Sequence, residues 1–289
     1  MNKLFVIIML AGLCVIAAGF GSGAVAQDAE LYRIETADGN VYVGELISEN
    51  AEFVVLLTES SGELRIRRAS IIQMTRLVES SLRQGDYWYA NPNPTRYLFA
   101  PGARNLEKGQ GYYQNTWIFL NSVDYGISDR FSLGIGTIPT FLFGGAAPVW
   151  LIPKLSFPAI DGKLHLSGRA VIAGIVGAES DIVGIFYGAA TYGSSDKNVT
   201  IGLGYGYSDR TFSSTPVLNI SGMYRVSRKG YLISENYLFP GTDGGGIISA
   251  AYRYTTPNAS LDFGLLRPTQ EADPLIGIPW LGVTIPFGR

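Results

Sequence analysis

One histidine limits the chemistry open to this chain. His165 stands in the run His165-Leu166-Ser167-Gly168, and residues two apart on a strand share a face. An imidazole beside a hydroxyl can take its proton and arm the oxygen for attack on an ester. Such a couple needs a third group to fix the imidazole's tautomer. Without one, His165 and Ser167 are equally a polar pair that only satisfies hydrogen bonds. Metal chemistry is poorly served, since one histidine and one cysteine fall short of a ligand set. No cofactor is implied. Other groups that could act are the charges Asp124, Lys163, Arg169, Arg225, Arg253 and Asp262, and the prolines Pro139, Pro153, Pro279 and Pro286, which cannot donate to a strand ladder.

What positions these residues begins with a leader. Lys3 is followed by an apolar run from Leu4 to Phe20, and Ala24-Val25-Ala26 matches the small-x-small cleavage rule, so residues 1–26 read as a secretory signal peptide. Removing it takes away Cys14 and Lys3, leaving 21 basic against 24 acidic residues and a charge of −3. With no basic run, nucleic acid is not a partner the composition favours. After the leader no apolar stretch reaches the length of a membrane helix. Yet 47% of residues are hydrophobic, only 16% are charged, and there are 36 glycines and 17 tyrosines. Apolar content that never gathers into helical spans, in an exported chain, points to strands with one face in lipid.

Residues 31–77 form a section of their own. Short β-rich runs are separated by Asp38-Gly39, by Ser48-Glu49-Asn50 and by Glu59-Ser60-Ser61-Gly62, all turn chemistries. The section closes on "RRASIIQMTRL" and reads as a small all-β module. Residues 78–94 read as a linker or short helix, stopped by "NPNP" at 91–94.

From Thr95 to the end at residue 289, turn signals recur. One set lies near Ser128, Asp161, Ser195 to Lys197, Lys229 and Pro257-Asn258, and the other near Leu106, Gly145, Gly177, Ser213, Gly244 and Glu271. Eleven connections separate twelve strands, an even number, as in single-chain bacterial barrels. The expected fold is therefore all-β: a twelve-stranded antiparallel transmembrane meander barrel over residues 95–289, preceded by a small periplasmic module. Val199, Ile201, Leu203, Tyr205 and Tyr207 share one face of a strand, against Thr200, Gly202, Gly204 and Gly206 on the other. "YGISDR", "YGSSDK" and "YGYSDR" repeat an interfacial tyrosine followed by a Ser-Asp-basic turn.

The stretch "NPNPTRYLFAPGARNLEKGQGYYQNTWIFLNSVDYGISDRFSLGIG", with "PVWLIPKLSFP" after it, resembles a group of uncharacterised Gram-negative outer-membrane β-barrel proteins. That resemblance implies fold and place, with outer-membrane lipid as the surrounding partner, and carries no catalytic residue. The strands and closing run of residues 31–77 resemble small SH3-like or Sm-like barrels, which implies a periplasmic protein partner for that module. His165-x-Ser167 resembles the outer-membrane phospholipase pattern, but Gly177 stands near the place of the asparagine that pattern uses.

In such a barrel Asp124, Lys163, Arg225, Arg253 and Asp262 belong near the short-turn strand ends, with His165 and Arg169 a little deeper, all facing the lumen, where the charges would either tune ion passage or fill the lumen as salt bridges. Pro139 opposite Pro153, and Pro279 with Pro286 in the closing strand, would make two weak seams, as lateral openings or as bulges. The outer connections are too short to fold in as a constriction loop, which favours a narrow or plugged barrel. The functions in view are a passive narrow pore or hydrophobic-solute channel, a non-conducting structural envelope protein with a periplasmic interaction module, and a lipid hydrolase using His165 and Ser167.

Overall fold

The computed structural model describes residues 31–58, 61–77, 82–83, 86–99, 102–160, 162–179, 181–241, 244–270 and 277–288. The leader, Asp161 and most of the Glu271 connection lie outside them. The chain divides into two compact units, Met1–Ala90 and Asn91–Arg289.

In the first unit, β1 (Leu31–Thr36), β2 (Val41–Glu49), β3 (Phe53–Thr58), β4 (Gly62–Arg67) and β5 (Ile71–Leu77) form one antiparallel sheet in the order β4-β3-β2-β1-β5. Alternation drives it: Ile34, Val54, Leu56 and Ile66 point to one side and are buried together. At the first turn Gly39 takes φ 82°, a left-handed conformation that glycine adopts without a Cβ penalty. The Asp38 carboxylate accepts from Thr36 Oγ at 2.5 Å and from Asn40 Nδ2 at 2.7 Å. These bonds hold its carboxyl below the usual carboxylate range. The closing run becomes β5, which crosses back to pair with β1 from Leu31↔Leu77 onward. Within 78–89 the described residues include a ribbon, β6 (Leu82–Arg83) with β7 (Asp86–Tyr87), and no helix.

In the second unit twelve antiparallel strands close into a barrel. They are β8 (Gly111–Thr116), β9 (Leu120–Gly126), β10 (Phe131–Thr137), β11 (Ala147–Ile160), β12 (Leu164–Val176) and β13 (Val183–Gly193), followed by β14 (Lys197–Ser208), β15 (Thr211–Ser227), β16 (Gly230–Phe239), β17 (Gly245–Thr255), β18 (Ser260–Pro268) and β19 (Ile278–Phe287). Closure runs without a break from Gly282↔Thr116 to Phe287↔Gly111.

The strand count agrees with the sequence, but the first strand does not begin at Thr95. Among the described residues of 91–110 none contributes a strand to the wall, and the missing connection is instead the turn Trp117–Phe119. Trp117 and Ile118 have φ 51° and 69°, values that hairpin turns normally assign to Asn or Gly. Thr-Trp-Ile-Phe carries no such signal. The turn is held by tertiary bonds, Trp117 N–H to the Leu281 carbonyl at 2.9 Å and Trp117 Nε1 to the Pro279 carbonyl at 2.7 Å. The turn expected near Ser213 closes earlier, at Asp209-Arg210 with φ 48° and 62°. That copy of the Ser-Asp-basic repeat therefore lies at the opposite end of the barrel from Ser128-Asp129-Arg130 and Ser195-Asp196-Lys197. The repeat encodes tight turning, not one side of the barrel.

Outward residues are apolar and exposed along successive strands: Leu133 and Ile135, Leu151, Leu155 and Phe157, Ile201 and Leu203, Leu261, Phe263 and Leu265. Their neighbours point inward. Several inward glycines leave space for large side chains from the next strand, since a Cβ at Gly136 would collide with the Trp150 ring and one at Gly204 with Tyr187 Cβ. Leu203→Arg, in the middle of the outward band, is expected to cost about 2–4 kcal/mol in urea unfolding from lipid vesicles. The natural Lys197 is spared such a cost at a strand end, with its amine 5.3 Å from the centroid of the Tyr224 ring.

Candidate functional site in the barrel lumen

The segment that fails to become a strand lies inside the barrel. Pro92, Pro94 and Pro101 have no N–H to give a ladder, so the backbone groups around them need other partners. Lumen side chains supply these. Glu235 on β16 accepts the N–H groups of Leu98 and Phe99 at 2.6 and 2.9 Å. Thr191 Oγ on β13 accepts from Ala103 N–H at 2.7 Å. Arg253 Nη2 donates to the Tyr97 carbonyl at 2.6 Å, Gln114 Nε2 to the Leu98 carbonyl at 3.2 Å, and the Lys154 amine to the Arg104 carbonyl.

Side chains of the segment add their own anchors. Asn91 Nδ2 reaches the Ser195 carbonyl at 2.7 Å, and Asn93 Nδ2 reaches Ser260 Oγ at 2.6 Å. The Tyr97 hydroxyl meets Asn198 Oδ1 at 2.5 Å and Thr200 Oγ at 2.7 Å. Asn105 Oδ1 accepts from Ser132 Oγ at 2.9 Å. Tyr97 and Leu98 pack with Met223, Tyr231, Ile233, Leu266 and Trp280 in one buried cluster. The segment thus bonds to strands on every side of the lumen and plugs it.

The strongest lock is a buried ionic triad. Arg253 grips Asp262 with two bonds, Nε to Oδ1 at 2.6 Å and Nη2 to Oδ2 at 2.9 Å, and Arg96 of the plug adds Nη2 to Oδ2 at 2.7 Å. Fork-to-carboxylate pairing of this kind is the strong form of ion pair. All three side chains are at most 2% exposed.

The expected lumen charges are now placed. Asp124, Arg169, Arg225, Arg253 and Asp262 do face inward. Asp124 is 8% exposed, on a strand position paired with Tyr112. Arg225 pairs with Asp196 at 3.1 Å, and Asp196 also accepts from the Tyr231 hydroxyl at 2.9 Å. Lys163 requires correction: it sits exposed in the turn between β11 and β12, because the preceding strand runs on to Ile160 and leaves no wall position for it. His165 and Ser167 share the inner face of β12, as alternation requires. Across the ladder His165 faces Pro158 and Thr191, and Ser167 faces Ser156 and Ala189.

The proline seams also change. Pro139 lies in the 3-10 turn Pro139–Gly144, not on a strand, so it does not oppose Pro153, which pairs with Leu133. Pro279 and Pro286 are in β19, but the seam there is continuous. The ladder between β11 and β12 is interrupted at Ile152-Pro153, from Leu151↔Ile172 to Lys154↔Arg169, and a longer break lies between β16 and β17. Their ladder stops after Ile233↔Ala251 and resumes at Tyr237↔Ile247 in the same register. In between, Ser249 Oγ accepts from Glu235 N–H at 2.8 Å and donates to the Glu235 carbonyl at 2.7 Å. Asn236 Oδ1 accepts from Ser249 N–H at 3.0 Å, and Ser234 Oγ donates to the Ser249 carbonyl at 2.8 Å. Three side chains replace the direct strand-to-strand bonds.

Beside this break and above the plug tip is a cavity of about 260 Å³, lined by Leu98, Phe99, Val217, Phe239, Ile247 and Leu266, with Glu235 and Tyr237 as its polar edge. A second space of about 110 Å³ shares Phe99, Ile185, Val217 and Tyr237 with the first and extends to Arg169, Tyr187 and Asn219. Sequence reading missed Arg96, Glu235 and Lys154. Glu235 was obscured because Ser234 and Asn236 occupy the outward face, which breaks the apolar alternation there.

No known protein family and no curated protein matches the chain. Among solved structures, a KdgM porin in complex with disordered oligogalacturonate is similar at 7% identity and TM-score 0.44, over 62% of this chain and 98% of that one. The outer-membrane expressed OmpT of Vibrio cholerae is similar at 12% identity and TM-score 0.31, over 92% of this chain and 99% of that one. A loop-deletion mutant of the same OmpT gives 11% identity and TM-score 0.31, over 90% and 97%.

Proposed function

We propose that this chain is an outer-membrane barrel, closed to ions by its own plug, that takes a hydrophobic solute into the chamber above the plug and passes it to the bilayer. The observation that carries the reading is the pairing of a hydrogen-bonded plug with an apolar chamber directly over it. A water-filled pore would call for a polar lumen, whereas Val217, Phe239, Ile247 and Leu266 suit hydrocarbon. The exposed apolar band supports membrane residence, and both ends of the closed wall, Gly111 and Phe287, fall at the short-turn end, the periplasmic side in this reading. Phe143, 95% exposed on the longest described loop turn at the other end, gives an apolar approach.

The route out is the break between β16 and β17, whose side-chain bonds can part without unzipping a full ladder. Its test is a disulfide. Asn236→Cys with Ile248→Cys faces two outward positions across the break, in a mature chain free of other cysteines. Oxidation is expected to slow transfer of an apolar fluorophore from water into proteoliposome membranes several-fold, with dithiothreitol restoring it. An unchanged rate would remove the lateral route.

A non-conducting structural role is favoured by a different feature, the apolar residues Val41, Ile47 and Ile72 exposed on the N-terminal sheet. There the SH3-like or Sm-like module would engage a periplasmic protein. Solute transfer that persists when residues 31–77 are deleted separates the two readings.

A further inference from the structure

Arg169 differs from every other inward arginine. Arg96 and Arg253 share Asp262, Arg225 holds Asp196, and Arg104 donates to the carbonyls of Gly162 and Gly193. Among the described residues Arg169 has no hydrogen-bond acceptor and no ion pair, and its Nε is buried without a partner. Its one directed contact is with the Tyr187 ring, whose centroid lies 6.0 Å from the guanidinium carbon. Both residues line the polar end of the lumen space, where Arg169 and Tyr187 face Phe99, Val217 and Tyr237. A fork of donors with no acceptor fits an incoming carboxylate in two-point contact.

The charged surroundings sharpen the choice. Arg169 acts electrostatically on Asp124, which it attracts, and on Lys154, which it repels. Asp124 makes no ion pair with the guanidinium, and Lys154 is turned to the Arg104 carbonyl of the plug. Glu235, the carboxylate at the chamber's other edge, is occupied by two plug N–H groups and the Tyr237 hydroxyl. Among the described residues no carboxylate forms an ion pair with Arg169.

We propose that the chamber binds a single-chain hydrophobic monocarboxylate, its head on Arg169 with the Tyr187 hydroxyl beside it and its hydrocarbon tail in the pocket of Val217, Phe239, Ile247 and Leu266. The proposal deepens the hydrophobic-solute reading and rests on it. It also predicts which end of the solute enters first: the carboxylate passes the long-loop mouth and stops at Arg169, leaving the tail beside the β16–β17 break.

The test uses the full mature chain in lipid nanodiscs, titrated calorimetrically with dodecanoate and with 1-dodecanol. Dodecanoate is expected to bind roughly 10- to 100-fold more tightly, the range of a charge-assisted contact. Arg169→Met should bring both ligands to the alcohol's affinity, and Arg169→Lys should recover part of the preference. Tyr187→Phe, a milder change, should weaken dodecanoate alone. Retention of the heat-modifiable gel shift shows that each variant is folded. Equal binding of acid and alcohol by the wild type, or a preference that survives Arg169→Met, would overturn the carboxylate site while leaving the hydrophobic chamber standing. Binding of neither ligand would overturn both.

Discussion

Asp262→Ala is expected to destabilise the barrel by about 3–5 kcal/mol, the scale for breaking a buried ion pair from one side. The carboxylate serves two guanidiniums at once, and alanine would leave Arg96 and Arg253 facing each other with no water to screen them. Asp262→Asn should cost less, because the amide oxygen still accepts from one of them. The effect has an internal control. When residues 91–106 are deleted Arg96 is gone, and the penalty of Asp262→Ala should shrink, since Arg253 alone remains unpaired. The difference between the two backgrounds is the coupling between plug and wall, read as a double-mutant cycle from urea midpoints in lipid vesicles. Equal penalties in both backgrounds would mean that the plug does not share this carboxylate.

Removing the plug should also change what the barrel passes. With residues 91–106 deleted the lumen loses Tyr97 and Leu98, which fill it, and the backbone that Glu235, Thr191 and Lys154 hold. The emptied space is bordered by Lys154, Arg169, Arg225 and Arg253 against Asp124, Glu235 and Asp262, so ions should pass with a weak preference for anions. Glu235→Gln is the graded version. It removes the charge from the bonds to Leu98 and Phe99 while Arg96 and Arg253 keep the rest of the plug in place, so brief openings are expected in place of a steady current.

The wall of this protein is legible in its sequence because alternation is a local signal: Val199 to Tyr207 states which face meets lipid and which meets the lumen. The plug is not, and Asn91–Gln110 shows why. Its prolines mark it as something other than a strand, but the partners that fold it inward, Glu235, Arg253 and Asp262, lie more than a hundred residues away, and no periodicity records them. Reading Thr95 as a strand start and missing Trp117–Phe119 were compensating errors. One removed a turn that tertiary bonds hold without glycine or asparagine, and the other added a strand where the chain turns into the lumen. Arg225, Arg253 and Asp262 could be placed inward because a charge in hydrocarbon is expensive. Lys163 could not be placed by the same reasoning, since a residue at the end of a strand escapes that cost by sitting on the turn. What distinguishes Arg169 from the other inward arginines is the lack of a partner, and that only the three-dimensional arrangement reveals.

The closure of the lumen by residues 91–106 is tested most directly by planar-bilayer recordings of the full mature chain beside the same chain lacking that segment. The result expected is silence from the first and discrete ionic steps from the second. Steps of the same size from both would contradict a plug that seals the barrel.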